Sequence, residues 1–267
     1  MKSTKNIIII SGITGAIGSA LLADYSQDQD VVIYGISRRG QPIEAFLKEG
    51  CLPQRTLICS LPEVNGYEAM FSRMDFSNVK SVTYIHAVGL YPFEVSKEGK
   101  VQVENDRDGD GINDAVTKLT YQNFVAATTA LLNAWKGKTS CAIFAGIADK
   151  YKPVVHQSWW KTIEKVKTYM QNLCAERTNL STVVFNISSV ICPSEVITRP
   201  FVFTDTDANP MFWLPPHELS QFVVSELGKI GMGYFEVEKF RVKPDFESEN
   251  YYADQNFTPR KVNELFG

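Results

Sequence analysis

The chain has 267 residues, 44% hydrophobic and 21% charged, with a formal net charge of −3. That length and balance suit one globular domain with a sizeable core. The absence of a basic excess excludes non-specific nucleic-acid binding as a leading role, and no apolar run is long enough to span a bilayer.

Residues 6–10 form a β-branched, strand-sized run; the residues before it are too few and too polar for a secretory signal. Ser11-Gly12-Ile13-Thr14-Gly15-Ala16-Ile17-Gly18 follows, and Ile17, Leu21 and Leu22 then keep helical spacing. Residues 31–36 read as a second strand, Ser37-Arg38-Arg39-Gly40 as the turn after it, 41–49 as a short helix and 56–59 as a third strand. A helix over 67–74 leads to a fourth strand at 81–85, which runs into His86-Ala87-Val88-Gly89. Strands alternating with helices at this spacing predict right-handed βαβ units and a parallel sheet.

Residues 91–118 are polar, charged and longer than an ordinary connection. A helix is expected over 119–135, with Phe124, Ala127, Leu131 and Trp135 on one face, then a strand at 139–144, a long helix at 158–177 and a sixth strand at 182–187. Residues 192–216 read as a loop excursion, and 216–227 as a final helix opened by proline. The tail, 236–267, mixes a short β-like stretch with irregular polar sequence. The expected architecture is a doubly wound α/β sheet between two helix layers, one domain over 1–267. Five scattered cysteines without a CxxC pair, Cys59 and Cys141 among them in apolar strand-like runs, fit a reducing cytoplasm.

The first turn carries the clearest chemistry. A phosphate-binding turn needs glycine where the chain reverses, where backbone approaches a pyrophosphate and where helix meets strand. The helix N-terminus then offers free N–H groups and partial positive charge. Gly12, Gly15 and Gly18 satisfy that pattern, with Ile13, Thr14, Ala16 and Ile17 filling the turn. At the end of the second strand an acidic residue suits NAD and an arginine suits the 2′-phosphate of NADP. Ser37, Arg38 and Arg39 stand there without a carboxylate, so NADP(H) is the expected cofactor.

With these motifs the chain resembles the short-chain dehydrogenase/reductase superfamily over about residues 6–227. The resemblance implies a Rossmann fold and places Ser60-Leu61 beside adenine and Ala87, Val88 and Gly89 beside the cofactor. It implies that Lys161 holds the nicotinamide ribose and that Asn123 supports a water chain. Where the family has its acid–base tyrosine stands Gln157, and its serine is replaced by Ala145-Gly146. An amide has no proton to lend at neutral pH. Three readings stay open: a substitute hydroxyl (Tyr151, Ser158 or Tyr91), chemistry that needs no tyrosine, including a non-redox reaction, or NADP(H) binding without turnover by a sensor.

Asp106-x-Asp108-x-Asp110-Gly111-x-x-Asp114 offers alternating carboxylates of the kind that wrap calcium, yet position twelve is Thr117 instead of a bidentate glutamate. A solvated acidic loop and a calcium site are the competing readings. His86 adjoins the nicotinamide region, as either a polar contact or a satisfied buried histidine. Trp159 and Trp160 flank Lys161, and Phe201, Phe203, Phe212 and Trp213 lie in the excursion, which the resemblance makes a substrate lid. Their density suggests an apolar or ring-bearing small-molecule substrate; core packing is the alternative. A homo-oligomer is compatible with the sequence.

Overall fold

The computed structural model describes residues 5–37, 56–60, 66–89, 103, 105–146, 157–188, 190 and 214–239. Isoleucine at four successive positions, Ile7 to Ile10, gives β1 (Lys5–Ser11) two apolar faces. Ile7 and Ile9 enter one core cluster while Ile8 and Ile10 enter another, which is how a strand of a parallel sheet covered on both sides must be built. The remaining strands are β2 (Val31–Ser37), β3 (Thr56–Ser60), β4 (Val79–His86), β5 (Lys138–Gly146), β6 (Leu180–Ile187) and β7 (Gly233–Lys239). All seven are parallel, in the order β3-β2-β1-β4-β5-β6-β7. The doubly wound fold read from the sequence is the one observed. The β-like stretch expected in the tail begins at Gly233 and makes a full seventh strand, in register with β6 from Ser181 to Ile187.

Helices cover both faces. On one side lie α1 (Ala16–Tyr25) and α6 (Pro216–Lys229), which bury Leu21, Leu22, Leu219 and Val223 together. On the other lie α2 (Tyr67–Phe71), α3 (Asp114–Val116), α4 (Asn123–Ala134) and α5 (Gln157–Glu176), contributing Tyr67, Phe124, Leu131, Ile163 and Val166. Burying each such side chain contributes roughly 1.5–3 kcal/mol.

The helix expected over 119–135 differs at both ends. It begins at Asp114, where Asn113 caps it by accepting from the Ala115 and Val116 amides. It then passes through a π-helical stretch, Thr117–Gln122, before α4. Two carbonyls of that stretch are claimed by side chains: Asn123 Nδ2 donates to Lys118 O at 2.8 Å, and His86 Nε2 lies 3.0 Å from Leu119 O. Side chains drawing on these carbonyls favour the wider turn over a regular α-helix. Trp135 lies outside the helix in extended conformation and stacks on Phe76. The helix at 41–49 and the excursion, apart from its last residues at 214–216, lie outside the described residues.

Candidate cofactor and active site

The order of strands reverses between β1 and β4, and in open parallel sheets ligands bind at the carboxyl ends of strands at that switch point. Ser11 and His86 are level there, and the Ala87 amide donates to Ser11 O at 2.8 Å, so the two strand ends enter their turns together. Gly12 has φ +81°, and a Cβ on it would fall 2.4 Å from Ala87 O. Its own amide is fixed on Ile36 O of β2 at 2.8 Å. Gly15 is the exposed N-cap of α1, and Gly18 packs on the turn so closely that a Cβ has no room.

The N-terminus of α1 has neither a side-chain cap nor an acidic residue in its first turn. Its leading amides and partial positive charge are left for an anion. Gly12, Ile13, Thr14, Gly15, Ala16, Ile17 and Gly18 form this cradle; Ile13 is turned into the core, while Thr14 and Ala16 are partly exposed. Ala87 and Val88, just beyond β4, lie against Gly12 of this cradle, while Gly89 packs on Trp159. Ser37 ends β2, buried and paired in register with Ser60 of β3. The residues fit a dinucleotide pyrophosphate. Arg38, Arg39 and Leu61 lie outside the described residues, as do Tyr91, Tyr151 and the lid aromatics Phe201, Phe203, Phe212 and Trp213.

The supporting pair occupies different surroundings. Asn123 is buried, its Oδ1 accepting from Tyr67 OH at 3.3 Å and its Nδ2 engaged on Lys118 O. Lys161 stands in the second turn of α5, with Nζ 3.5 Å from Gly111 O. Gln157, one turn before it, donates to the same carbonyl from Nε2 at 3.3 Å. Ser158 is fully buried, and its Oγ accepts from the Asn113 amide at 2.8 Å. As a substitute acid it is corrected by that placement, because its oxygen faces the loop and not an open cleft. Ala145 is buried at the end of β5, with no hydroxyl on it or on Gly146.

His86 is the satisfied buried histidine of the two readings. Tyr84 OH donates to Nδ1 at 2.8 Å while Nε2–H points to Leu119 O. Burial pushes its pKa down to about 4 against the raising effect of the Leu119 carbonyl, so the ring is neutral. Burial likewise raises Tyr84 and Tyr67 well above the ordinary phenol range. Neither is a ready proton donor. Trp159 belongs to the core, its ring against Gly89, while Trp160 is partly exposed. The substrate-lining reading of Trp159 is therefore replaced by packing.

In the acidic loop, Asp106, Asp108 and Asp110 each bring a carboxylate oxygen within 4.8 Å of the others. Asp114, the fourth expected ligand, is not among them: it sits in the first turn of α3, 3.8 Å from Arg107 Nε. Asp106 accepts from the Gly109 and Gly111 amides, and Asp110 from Ile112 N and from Lys165 Nζ at 2.9 Å. The Lys165 ammonium holds the Asp110 carboxyl below its usual range. What the sequence did not reveal is that this loop and the Lys161 helix touch.

Neither a family model nor any curated protein sequence matches the chain. Solved structures do. Serine dehydrogenase from Escherichia coli superposes with a TM-score of 0.64 at 12% identity, over 88% of this chain and 97% of that one. A closed form of serine dehydrogenase complexed with NADP+ gives 0.68 at 13%, over 93% and 100%. The glucose/ribitol-type short-chain dehydrogenase from Brucella melitensis gives 0.68 at 14%, over 91% and 100%. The chain has the short-chain dehydrogenase/reductase fold. Among the described residues no helix is long and apolar enough to cross a membrane, and Cys141 and Cys174 are free thiols.

Proposed function

We propose that the chain binds NADP(H) across the β1–β4 switch point and acts as an oxidoreductase of the short-chain type with a non-standard acid–base site. The observation that carries the reading is the uncapped N-terminus of α1 behind the Gly12–Gly15–Gly18 turn. Arg38 and Arg39, which follow β2 in the sequence, support the phosphorylated cofactor, as does the NADP+ held by a structural neighbour of like fold. When bound, the nicotinamide supplies or accepts hydride. The chain's own part is to hold the pyrophosphate on α1 amides, the 2′-phosphate on the arginines and the ribose on Lys161. Titration calorimetry tests this: NADPH binds much more tightly than NADH, and Arg38→Ala with Arg39→Ala removes most of the gap, since charge-assisted bonds contribute about 1.5–3 kcal/mol each. Equal affinities for the two cofactors in the unmodified protein would overturn the NADP assignment.

A second reading, an NADP(H)-binding regulator without turnover, is favoured by one observation. Gln157, in the acid position, uses its amide to grip Gly111 O. We read the acidic loop as a solvated turn rather than a calcium site, because Lys165 already occupies Asp110 and Asp114 faces Arg107. The protein is read as cytoplasmic, with a small-molecule substrate.

A further inference from the structure

The loop over residues 105–113 is docked along the first turns of α5. Gly111 O receives Gln157 Nε2 at 3.3 Å and Lys161 Nζ at 3.5 Å. The Asn113 amide lies on buried Ser158 Oγ at 2.8 Å, and Asp110 pairs with Lys165. Ile112, between them, is buried. Residues 157, 158, 161 and 165 fall on one helical stripe, so Asp110, Gly111 and Asn113 are all held by one face of α5. Gly111 is the contact that reaches the ammonium. Its φ is +74°, and a Cβ on it would stand 2.9 Å from Lys161 Nζ and 3.4 Å from Gln157 Nε2. Gly109 shares the backbone class, with φ +76°, but a Cβ there meets nothing within 4 Å.

We propose that the loop is a strap and that Gly111 is a positioning residue for Lys161, its carbonyl fixing the ammonium beside the cofactor ribose. The proposal rests on the NADP(H) reading and deepens it. An ammonium has three N–H donors and no acceptor; one given to Gly111 O sets the direction of the other two, which a ribose diol can accept. Gln157 then has a role that a proton donor at that position would not fill: its amide N–H holds the same carbonyl in place. The position that the resemblance assigns to acid–base chemistry serves here as an anchor for the strap.

The Gly109/Gly111 pair separates contact from backbone strain. NADPH is titrated calorimetrically into Gly111→Ala and Gly109→Ala, and into both again in a Lys161→Ala background. The expected result is an affinity roughly five-fold or more weaker for Gly111→Ala than for Gly109→Ala, with the gap closing once Lys161 is removed. Equal effects, or a gap that persists without Lys161, overturn the proposal; a role confined to loop stability predicts that persistence. If the unmodified protein takes up no NADPH, the cofactor reading fails by itself. The strap is then decided by hydrogen exchange, in which residues 105–113 exchange faster in Gln157→Ala/Lys161→Ala, or in Lys161→Met should the double variant not fold. Unchanged exchange in a folded variant overturns it.

Discussion

A Cβ on Gly18 would lie 2.2 Å from the carbonyl oxygen of Gly12, so α1 and the turn before it are in direct backbone contact. The first prediction follows from that closeness. Alanine ordinarily gains about 1 kcal/mol over glycine inside a helix, but here the backbone must move to admit it, and overpacking costs about 1–3 kcal/mol. Gly18→Ala is expected to lower the denaturant midpoint and to abolish NADPH uptake. A raised midpoint would mean that α1 does not press on the turn as described.

Protonation of His86 gives a second test. Its pKa is about 4 in the folded protein and 6.5 as a free side chain, so the unfolded chain binds the extra proton first. Stability from this group is therefore intact above 6.5 and is lost as pH falls toward 4, by about 3 kcal/mol across the window. At pH 7 the wild type is more stable than His86→Asn, and that gap should narrow by about this amount by pH 4. Parallel unfolding curves measured from pH 7 to 4 check it. A constant gap would show that the folded protein protonates His86 as readily as the unfolded chain does.

The acidic loop is predicted to ignore calcium. Metal-stripped protein should melt at the same temperature with and without millimolar calcium, since Lys165 already neutralises Asp110. A rise in melting temperature that Asp108→Ala and Asp110→Ala abolish would reverse the reading.

Turnover distinguishes enzyme from regulator. With Gln157 in the acid position and no hydroxyl on Ala145 or Gly146, NADPH oxidation on a broad panel of ketones should be very slow, because a positioned acid contributes about 10²–10⁴-fold. Gln157→Tyr with Ala145→Ser should raise it if the site has merely lost its acid. Tyr151→Phe or Tyr91→Phe should abolish turnover of the true substrate, with NADPH affinity unchanged, if one of those hydroxyls has taken over. Tight NADPH binding with no turnover on any substrate, in cell extract included, would favour the regulator.

Six strands were legible because two-sided burial writes itself as unbroken apolar runs, as in Ile7 to Ile10 and in β6, where every residue is buried. The glycine turn was legible because its demands are local to eight residues. The π-helical stretch was not, since it depends on His86 reaching a carbonyl 33 positions away. Nor could spacing show that Gly111 and Lys161, 50 positions apart, would meet. The seventh strand was only partly visible: β7 lies at the edge, half-exposed and carrying Glu236, Glu238 and Lys239, so its apolar signal is diluted.

The pairing of α1 with α6 bears on the order in which the molecule is assembled. Asp24 of α1 accepts from the Ser220 hydroxyl of α6 across 196 positions, beside the shared burial of Leu21, Leu22, Leu219 and Val223. The first described helix thus packs on β1 and β2 within its own unit, but the flank it shares with α6 stays uncovered until the last described helix has been synthesised. A nascent chain halted before residue 216 carries the entire glycine turn, tied to β2 and β4, and still lacks the outer packing of α6 on α1. Part of the backing behind that turn is therefore long-range, a property of the finished sheet as well as of its first βαβ unit.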